Sequence, residues 1–254
     1  MRLKGKVAIV TGGGSGFGAG IVQKFAAEGA QVVVADINLQ AALDVAAAVG
    51  PAARGVRVDV ADAADVRLMM EAAELHFGRI DILVNNAGVT HLPQALEEVS
   101  EADFDRIVAV NMKAIYYAMR EIVPRMKGNQ AGKGGIRGVV LNMASTAGVS
   151  PRPRLGWYNA SKGWVITATR ANAVELAPFG IRVCALNPVA GETPLLKSFM
   201  GQDTPEMRAK FLSTIPIGRF STPEDLANAA CFLCSDEASM ITGVCMEVDG
   251  GRCI

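Results

Sequence analysis

Short apolar runs alternate along the chain with longer stretches in which apolar residues recur at helical spacing. Short continuous apolar runs bounded by turn residues are typical of strands that are buried on both faces. Seven such runs occur, at residues 7–10, 32–35, 55–58, 82–84, 139–142, 181–186 and 244–248. The pattern therefore predicts seven strands separated by helices.

The segments between the strands carry apolar stripes that we expect to face the sheet. One stripe comprises Val66, Met69, Met70, Ala73 and Phe77, and the next comprises Phe104, Ile107, Val108, Ile115, Ala118 and Ile122. Ser100-x-x-Asp103 and Thr222-Pro223-x-Asp225 are typical of helix starts. Alternating strands and helices predict one α/β domain over residues 1–254, a doubly wound parallel sheet with helices on both faces. Ligands of such sheets bind at the carboxyl ends of the strands.

A glycine-rich turn, Thr-Gly-Gly-Gly-Ser-Gly-Phe-Gly at residues 11–18, joins the first strand to the first helix. Residues without Cβ let a phosphate approach the backbone, and the free N–H groups of the helix start bind it. Asp36 ends the second strand, where a carboxylate accepts hydrogen bonds from a ribose diol and repels a 2′-phosphate. The sequence predicts a dinucleotide site with a preference for NAD(H) over NADP(H).

Composition excludes several classes of partner. The 254 residues carry a formal net charge of zero without a basic block, so we expect no nucleic acid partner. The first apolar run is short and passes into the glycine turn, so we expect neither an export signal nor a membrane span.

Five cysteines without an export signal favour reduced thiols and a cytoplasmic location. Cys231-x-x-Cys234 lies in an apolar helical segment without further ligands, so we expect buried thiols and no metal site.

Tyr158 and Lys162 are four residues apart in a helical segment, so their side chains share one helix face. A phenol ionises near pH 10, which makes it a poor base at neutral pH. An ammonium about 5 Å away contributes roughly 3 kcal/mol in favour of the phenolate at an effective dielectric constant of 20. The pair predicts a tyrosine general acid/base, although such a spacing also arises by chance on helix surfaces.

Three further features accompany this pair. Ser145 follows the fifth predicted strand, where its hydroxyl can bind a substrate carbonyl. Asn85-Asn86-Ala87-Gly88 follows the fourth strand and combines turn residues with amide groups that can face a cofactor. Asn111 lies in an apolar stripe seven residues after Phe104, where a buried amide requires hydrogen-bond partners.

The T-G-x-x-x-G-x-G turn, N-N-A-G, the helix Asn, the strand-end Ser and Y-x-x-x-K occur in the order and spacing of the short-chain dehydrogenase/reductase family. The chain resembles this family from end to end, and within it the branch of 3-oxoacyl-carrier-protein reductases. The resemblance implies a Rossmann fold in which Tyr158 is the acid/base, Lys162 lowers its pKa and holds the ribose, Ser145 orients the carbonyl, and Asn111 fixes a water in a proton relay. The implied NAD-binding residues are Gly12, Ser15, Gly16, Phe17, Gly18, Asp36, Asp59, Val60, Asn86, Ala87, Gly88, Tyr158, Lys162, Pro188, Val189 and Thr193.

These features predict an NAD(H)-dependent oxidoreductase that interconverts a secondary alcohol and a ketone, a small-molecule substrate, by hydride transfer. One alternative is a reductase of 3-oxoacyl thioesters carried by acyl-carrier protein or CoA, against which Asp36 counts because such reductases normally draw on NADPH. A non-catalytic dinucleotide-sensing protein is an alternative of another class, against which the complete catalytic set counts.

Residues 187–194 read Asn-Pro-Val-Ala-Gly-Glu-Thr-Pro, whereas the family usually has Asn-Pro-Gly, so Val189 replaces the flexible residue. Thr193 falls where the family places a hydroxyl on the nicotinamide carboxamide. Glu192 either caps the following helix or disfavours anionic substrates. Arg152 and Arg154 either bind a carboxylate or phosphopantetheine, or are solvated loop residues.

Residues 191–220 lack a strand and are expected to cover the substrate. Their apolar side chains, which either line a substrate pocket or pack together, are Leu195, Leu196, Phe199, Met200, Phe211 and Leu212. The helix expected at 157–177 has few charges, which predicts one side against the sheet and another against a second subunit. The family resemblance accordingly implies a homotetramer.

Overall fold

The computed structural model describes residues 1–254 and contains one seven-stranded, fully parallel sheet in the order β3-β2-β1-β4-β5-β6-β7. Its strands are β1 Val7–Thr11, β2 Gln31–Asp36, β3 Ala53–Arg57, β4 Ile82–Asn85, β5 Gly138–Met143, β6 Ile181–Pro188 and β7 Cys245–Val248. All seven predicted strands are present, and β3 begins and ends slightly earlier than the apolar pattern indicates. The doubly wound arrangement is confirmed.

Helices cover both faces of the sheet. They are α1 Gly16–Ala27, α2 Leu39–Val49, α3 Ala63–Phe77, α4 Glu101–Ile107, α5 Ala114–Gly128, α6 Gly156–Leu176, α7 Leu196–Met200, α8 Pro205–Leu212 and α9 Pro223–Cys234. Because side chains alternate along a strand, Ala8 and Val10 pack in one core with α1, α2 and α9, whereas Ile9 packs in the other with α3, α5 and α6. None of these helices combines the length and the apolar character that crossing a membrane requires.

Both predicted helix starts are confirmed. The Ser100 hydroxyl accepts a hydrogen bond from the N–H of Asp103 at 3.2 Å. At the start of α9, the Thr222 hydroxyl accepts from Asp225 N at 3.2 Å, and the Asp225 carboxylate accepts from Thr222 N at 2.8 Å. This reciprocal pair satisfies two N–H groups that a helix leaves unpaired.

The stripe that includes Phe104 does not face the sheet throughout. A π-helix, Val108–Lys113, separates α4 from α5 and adds a residue to the turn, which changes the face presented by the residues on either side. Phe104 is consequently 38% exposed and meets the Trp157 ring edge-on at 5.2 Å. Ile107, Ile115, Ala118 and Ile122 are buried as predicted.

Residues 191–220, called the cover segment below, contain the two short helices α7 and α8. Leu196 and Met200 pack with Val189, Ile215 and Phe220 in a separate small core. The Glu192 carboxylate lies 3.2 Å from the Arg208 guanidinium, so it links the start of the segment to α8. Of the two interpretations of Glu192, the helix cap is wrong, because α7 is preceded by Leu195 without a side-chain cap.

A buried chain of hydrogen bonds fixes α6 on the sheet. The Asn85 amide donates to Asn142 Oδ1 at 2.8 Å, and Asn142 Nδ2 donates to the Thr169 hydroxyl at 2.9 Å. Asn142 and Thr169 have no exposed surface. Because a buried polar group is stable only with partners, this chain restricts how α6 can lie on β4 and β5.

Candidate active site

The glycine turn after β1 is shaped by close backbone contacts. Gly12 has a φ of 62°, a left-handed conformation that favours glycine. A Cβ on Gly18 would collide with the carbonyl oxygen of Gly12 and would lie 2.6 Å from Asn86 Nδ2. Gly18 therefore packs directly against the backbone of the turn, where a larger residue would not fit.

The Asp36 carboxylate lies over this turn at the end of β2. One oxygen accepts a hydrogen bond from Gly14 N at 2.9 Å, and the other accepts from Asn38 N at 3.0 Å. No basic side chain pairs with it. The negative charge thus remains uncompensated beside the glycine turn.

The Asn86-Ala87-Gly88 turn after β4 is attached to the end of β1. The Thr11 hydroxyl accepts hydrogen bonds from Asn86 N at 3.0 Å and Ala87 N at 3.1 Å. The Asn86 amide donates in return to Thr11 O at 2.8 Å and Gly12 O at 3.1 Å. These bonds join the two turns into one unit.

A cavity of about 460 Å³ opens between the carboxyl ends of the strands and the cover segment. The predicted residues that line it are Gly12, Ser15, Gly16, Phe17, Asp36, Asp59, Val60, Asn86, Ala87, Gly88, Ser145, Tyr158, Lys162, Pro188, Val189 and Thr193. Gly18 and Asn111 do not line it. Leu195, Phe199 and Phe211 of the cover segment do, so that segment both packs internally and faces the cavity.

Asn111 lies in the π-helix, 2% exposed, directly behind the cavity wall. Its Oδ1 accepts from Val89 N at 2.9 Å, while its Nδ2 donates to Val89 O at 2.9 Å and to the Ser161 hydroxyl at 3.0 Å. Both amide hydrogens are therefore in use, and the partners expected for this buried amide are present. Through Val89 and Ser161 it holds the segment after β4 against α6.

Tyr158 is buried at the inner end of the cavity, next to Ser145 and edge-on to Phe199 at 5.1 Å. Burial raises the pKa of Tyr158 to about 12, while the Ser145 hydroxyl and the Arg152 guanidinium lower it. Ser145 itself accepts a hydrogen bond from Ala147 N at 3.1 Å, which fixes its position after β5. The phenol is protonated at neutral pH.

Lys162 lies on the same helix face as Tyr158, with its ammonium nitrogen 5.9 Å from the centre of the phenol ring. The ammonium donates to Met143 O at 2.7 Å, and burial lowers the pKa of Lys162 to about 8. That Lys162 lowers the pKa of Tyr158 stays a prediction. Burial has the largest effect on the pKa of Tyr158, and the Arg152 guanidinium lowers it.

Known proteins are similar to this chain over nearly its full length. The sequence profile of the enoyl-(acyl carrier protein) reductase family matches residues 12–252. A 4-formylbenzenesulfonate dehydrogenase of Comamonas testosteroni is 46% identical over 99% of each chain, and a galactitol 2-dehydrogenase of Agrobacterium fabrum is 38% identical over 99% of each chain. The crystal structure of a 3-ketoacyl-(acyl-carrier-protein) reductase from Brucella melitensis, complexed with NADH, is 53% identical, with a TM-score of 0.93 over 99% of this chain and 100% of that chain.

The chain belongs to the short-chain dehydrogenase/reductase family. The sequence alone does not predict the contacts of two residues of the site, Thr11 and Arg152. Thr11 joins the two turns, and its position at the end of β1 was the available signal. Arg152 lines the cavity, whereas Arg154, two residues later, is exposed. Loop position alone does not distinguish these two arginines, because the difference depends on how α8 packs.

We predict that the buried ammonium of Lys162 lowers stability at neutral pH. Its pKa is about 8 in the folded chain and about 10.4 when unfolded, so between these values the unfolded chain binds more protons and stability rises with pH. Relative to Lys162→Met, the wild-type free energy of unfolding should increase by about 1 to 2 kcal/mol from pH 7 to pH 9.5. Urea unfolding at both pH values measures this.

The control for this prediction is Lys210→Met, because Lys210 lies on α8, a helix without buried residues. The same substitution there removes an exposed ammonium. Its stability relative to wild type should be the same at both pH values. A constant difference between wild type and Lys162→Met would contradict the assigned pKa.

Proposed function

We propose that this protein is an NAD(H)-dependent oxidoreductase that interconverts a secondary alcohol and a ketone. The observation that carries the proposal is that Asp36, Ser145, Tyr158 and Lys162 all line one cavity. A hydrogen-bond acceptor for the ribose and a proton donor for the substrate would then act in the same cavity. The relatives named as dehydrogenases of alcohols support the same chemistry.

The residues of the cavity fit NAD(H). Asp36 keeps an uncompensated carboxylate beside the glycine turn, which suits a ribose diol and disfavours a 2′-phosphate. Gly12, Ser15 and Gly16 of the glycine turn line the cavity near the start of α1, where the free N–H groups of a helix would bind a diphosphate. When bound, the cofactor supplies or accepts the hydride. The NADH in the Brucella melitensis relative supports this choice.

The side chains at the inner end of the cavity would bind the substrate oxygen and transfer its proton. Ser145 would donate a hydrogen bond to the substrate oxygen. In reduction, Tyr158 gives its phenolic proton to the oxygen that develops negative charge, and in oxidation the alcohol proton returns to the phenolate. A phenol with a pKa of about 12 is fully protonated at neutral pH. Lys162 would hold the ribose hydroxyls, as the family resemblance implies, and Asn111 would support the proton relay.

A 3-oxoacyl-thioester reductase is the second candidate, because the Brucella melitensis relative is a 3-ketoacyl-(acyl-carrier-protein) reductase. A panel of secondary alcohols, 3-hydroxyacyl thioesters and sulfonated benzyl alcohols separates the two, each with NAD and with NADP. The sulfonated compounds enter the panel because the Comamonas testosteroni relative is named for 4-formylbenzenesulfonate. A dinucleotide sensor without turnover would leave every substrate unchanged.

We predict that Tyr158→Phe lowers turnover of 1-phenylethanol with NAD by about a hundredfold or more, because the variant lacks the proton donor and acceptor. Absorbance of reduced nicotinamide measures the rate. The affinity for NADH, measured by fluorescence, should change little. Tyr116→Phe on α5 serves as the control, since it removes the hydroxyl of a tyrosine that does not line the cavity. Near-normal turnover by Tyr158→Phe would exclude the assigned role.

We predict that Asp36→Ala reduces the preference for NAD over NADP by about tenfold or more, because the repulsion of a 2′-phosphate is removed. The measurement is kcat/KM for each cofactor at saturating alcohol. Asp44→Ala is the matched control, because Asp44 lies exposed on α2 and only accepts from Gln40. An unchanged ratio in Asp36→Ala would assign the preference to another residue.

We also propose a cytoplasmic homotetramer. The five cysteines form no disulfide, which favours a reducing compartment. The helices α5 and α6 cover the same face of the sheet and leave Tyr116 54%, Trp164 36% and Val174 80% exposed. Exposed apolar residues on neighbouring helices favour association. Light scattering should give the mass of four 26.6 kDa chains, whereas a single chain in dilute solution would contradict the proposal.

A further inference from the structure

The guanidinium of Arg152 reaches the cavity without a partner from the chain. Arg152 lines the cavity, and its Nη2 atom is buried without a hydrogen bond. Arg182, which is also buried, donates instead to Ser235 O and Ile241 O, both at 3.1 Å. Arg208 of the cover segment pairs with Glu192. Arg152 thus differs from these arginines in having neither a carbonyl nor a carboxylate acceptor.

Neighbouring residues hold this guanidinium in place. It stacks on the Phe211 ring, 4.4 Å from the ring centre, an arrangement that suits the planar guanidinium. The backbone carbonyl of Arg152 accepts a hydrogen bond from the Asn159 amide at 2.7 Å. Since Asn159 is adjacent to Tyr158 in α6, the loop that carries Arg152 is attached to the helix that carries the acid/base.

A second cation lies nearby. Burial and, to a smaller extent, the nearby Arg252 guanidinium lower the pKa of Arg152 to about 10, so the group remains charged at neutral pH. Arg252 donates to the Ser150 hydroxyl at 3.1 Å. The Asp249 carboxylate is occupied by Gly251 N at 2.9 Å and Cys253 N at 2.8 Å. No acidic side chain compensates these two guanidiniums, and a buried cation without a partner is costly.

The walls between Arg152 and Tyr158 are apolar. They comprise Val89, Leu155, Phe199 and Phe211. We propose that the substrate of this enzyme carries a carboxylate or sulfonate that Arg152 binds, joined by a compact apolar body to the carbonyl that lies at Tyr158 and Ser145. A guanidinium offers paired donors to either anion. This inference rests on the proposed oxidoreductase function and assigns the substrate class of that same site.

The shared cavity favours a compact substrate over a phosphopantetheine thioester. Arg152 and Tyr158 line the same cavity of about 460 Å³, and the Arg152 carbonyl is hydrogen-bonded to Asn159, the neighbour of Tyr158. With a thioester carbonyl at Tyr158, the phosphate would lie at the far end of the long pantetheine arm, outside the cavity. The anion that meets Arg152 must therefore belong to the part of the substrate next to the reacting carbon.

Binding of unreactive probes to the NADH complex tests the proposal without relying on the rate, which Arg152 also influences through Tyr158. The probes are benzenesulfonate, benzoate and neutral benzamide, measured by calorimetry. Wild type should bind at least one of the two anions about tenfold or more tightly than benzamide. Arg152→Gln should lose this preference, whereas Arg154→Gln, in the same loop but exposed, should retain it.

Every outcome of these measurements either supports or overturns the anion site at Arg152. Equal affinity of wild type for anions and benzamide overturns the proposal, as does an unchanged preference in Arg152→Gln. If Arg152→Gln no longer binds NADH, Arg152→Lys replaces it and should bind the anions with intermediate affinity. The anion that wild type binds more tightly identifies the charged group on the substrate.

Turnover separates this proposal from the function on which it rests. Substrates are 1-phenylethanol and its 4-carboxylate and 4-sulfonate derivatives, each with NAD. Oxidation of all three at equal kcat/KM overturns the anion site and leaves the oxidoreductase function intact. Anion binding by Arg152 without turnover of any alcohol overturns the oxidoreductase function and supports the anion site.

Discussion

The contact between Thr11 and the turn after β4 is the constraint on which the rest of the site depends. Strands β1 and β4 are neighbours at the point where the chain changes direction across the sheet, and at such a point a crevice opens. The Thr11 hydroxyl accepts from Asn86 and Ala87 and donates to Val84 O at 3.3 Å, so its hydrogen-bonding capacity is fully used. The crevice consequently has a rigid floor, on which the glycine turn and the residues after β5 face each other.

Burial is the second constraint, because it disfavours the charged forms of the two groups that the proposed function assigns to proton transfer and ribose binding. Tyr158 and Lys162 are 5% exposed each, and burial moves their pKa values in opposite directions, both toward the neutral form. Asn111 and Asn142 show the compensating arrangement, since each buried amide is hydrogen-bonded on both sides. The surrounding amides thus stabilise a site in which the buried ammonium of Lys162 destabilises the fold.

Much of this arrangement follows from the sequence for a physical reason. Strands buried on both faces require continuous apolar runs, so the runs located all seven strands, and Asp36 and Ser145 could be placed at strand ends. The phase of the stripe containing Phe104 could not be predicted, because a π-turn has no distinct residue pattern. The partner of Lys162 was equally hidden, since Met143 offers only its backbone carbonyl. The surroundings of Arg152 depend on Phe211, which is distant in sequence and brought close only by the packing of α8.

The position of Arg152 couples substrate charge to proton transfer. Its guanidinium lowers the pKa of Tyr158, so an anion bound to it cancels part of this effect and raises the pKa of the phenol. Because the phenol is already protonated at neutral pH, a higher pKa makes it a weaker acid and makes its phenolate a stronger base. A neutral substrate leaves the cation uncompensated and the phenol easier to ionise. One arginine would thereby both select an anionic substrate and adjust the acid that acts on it.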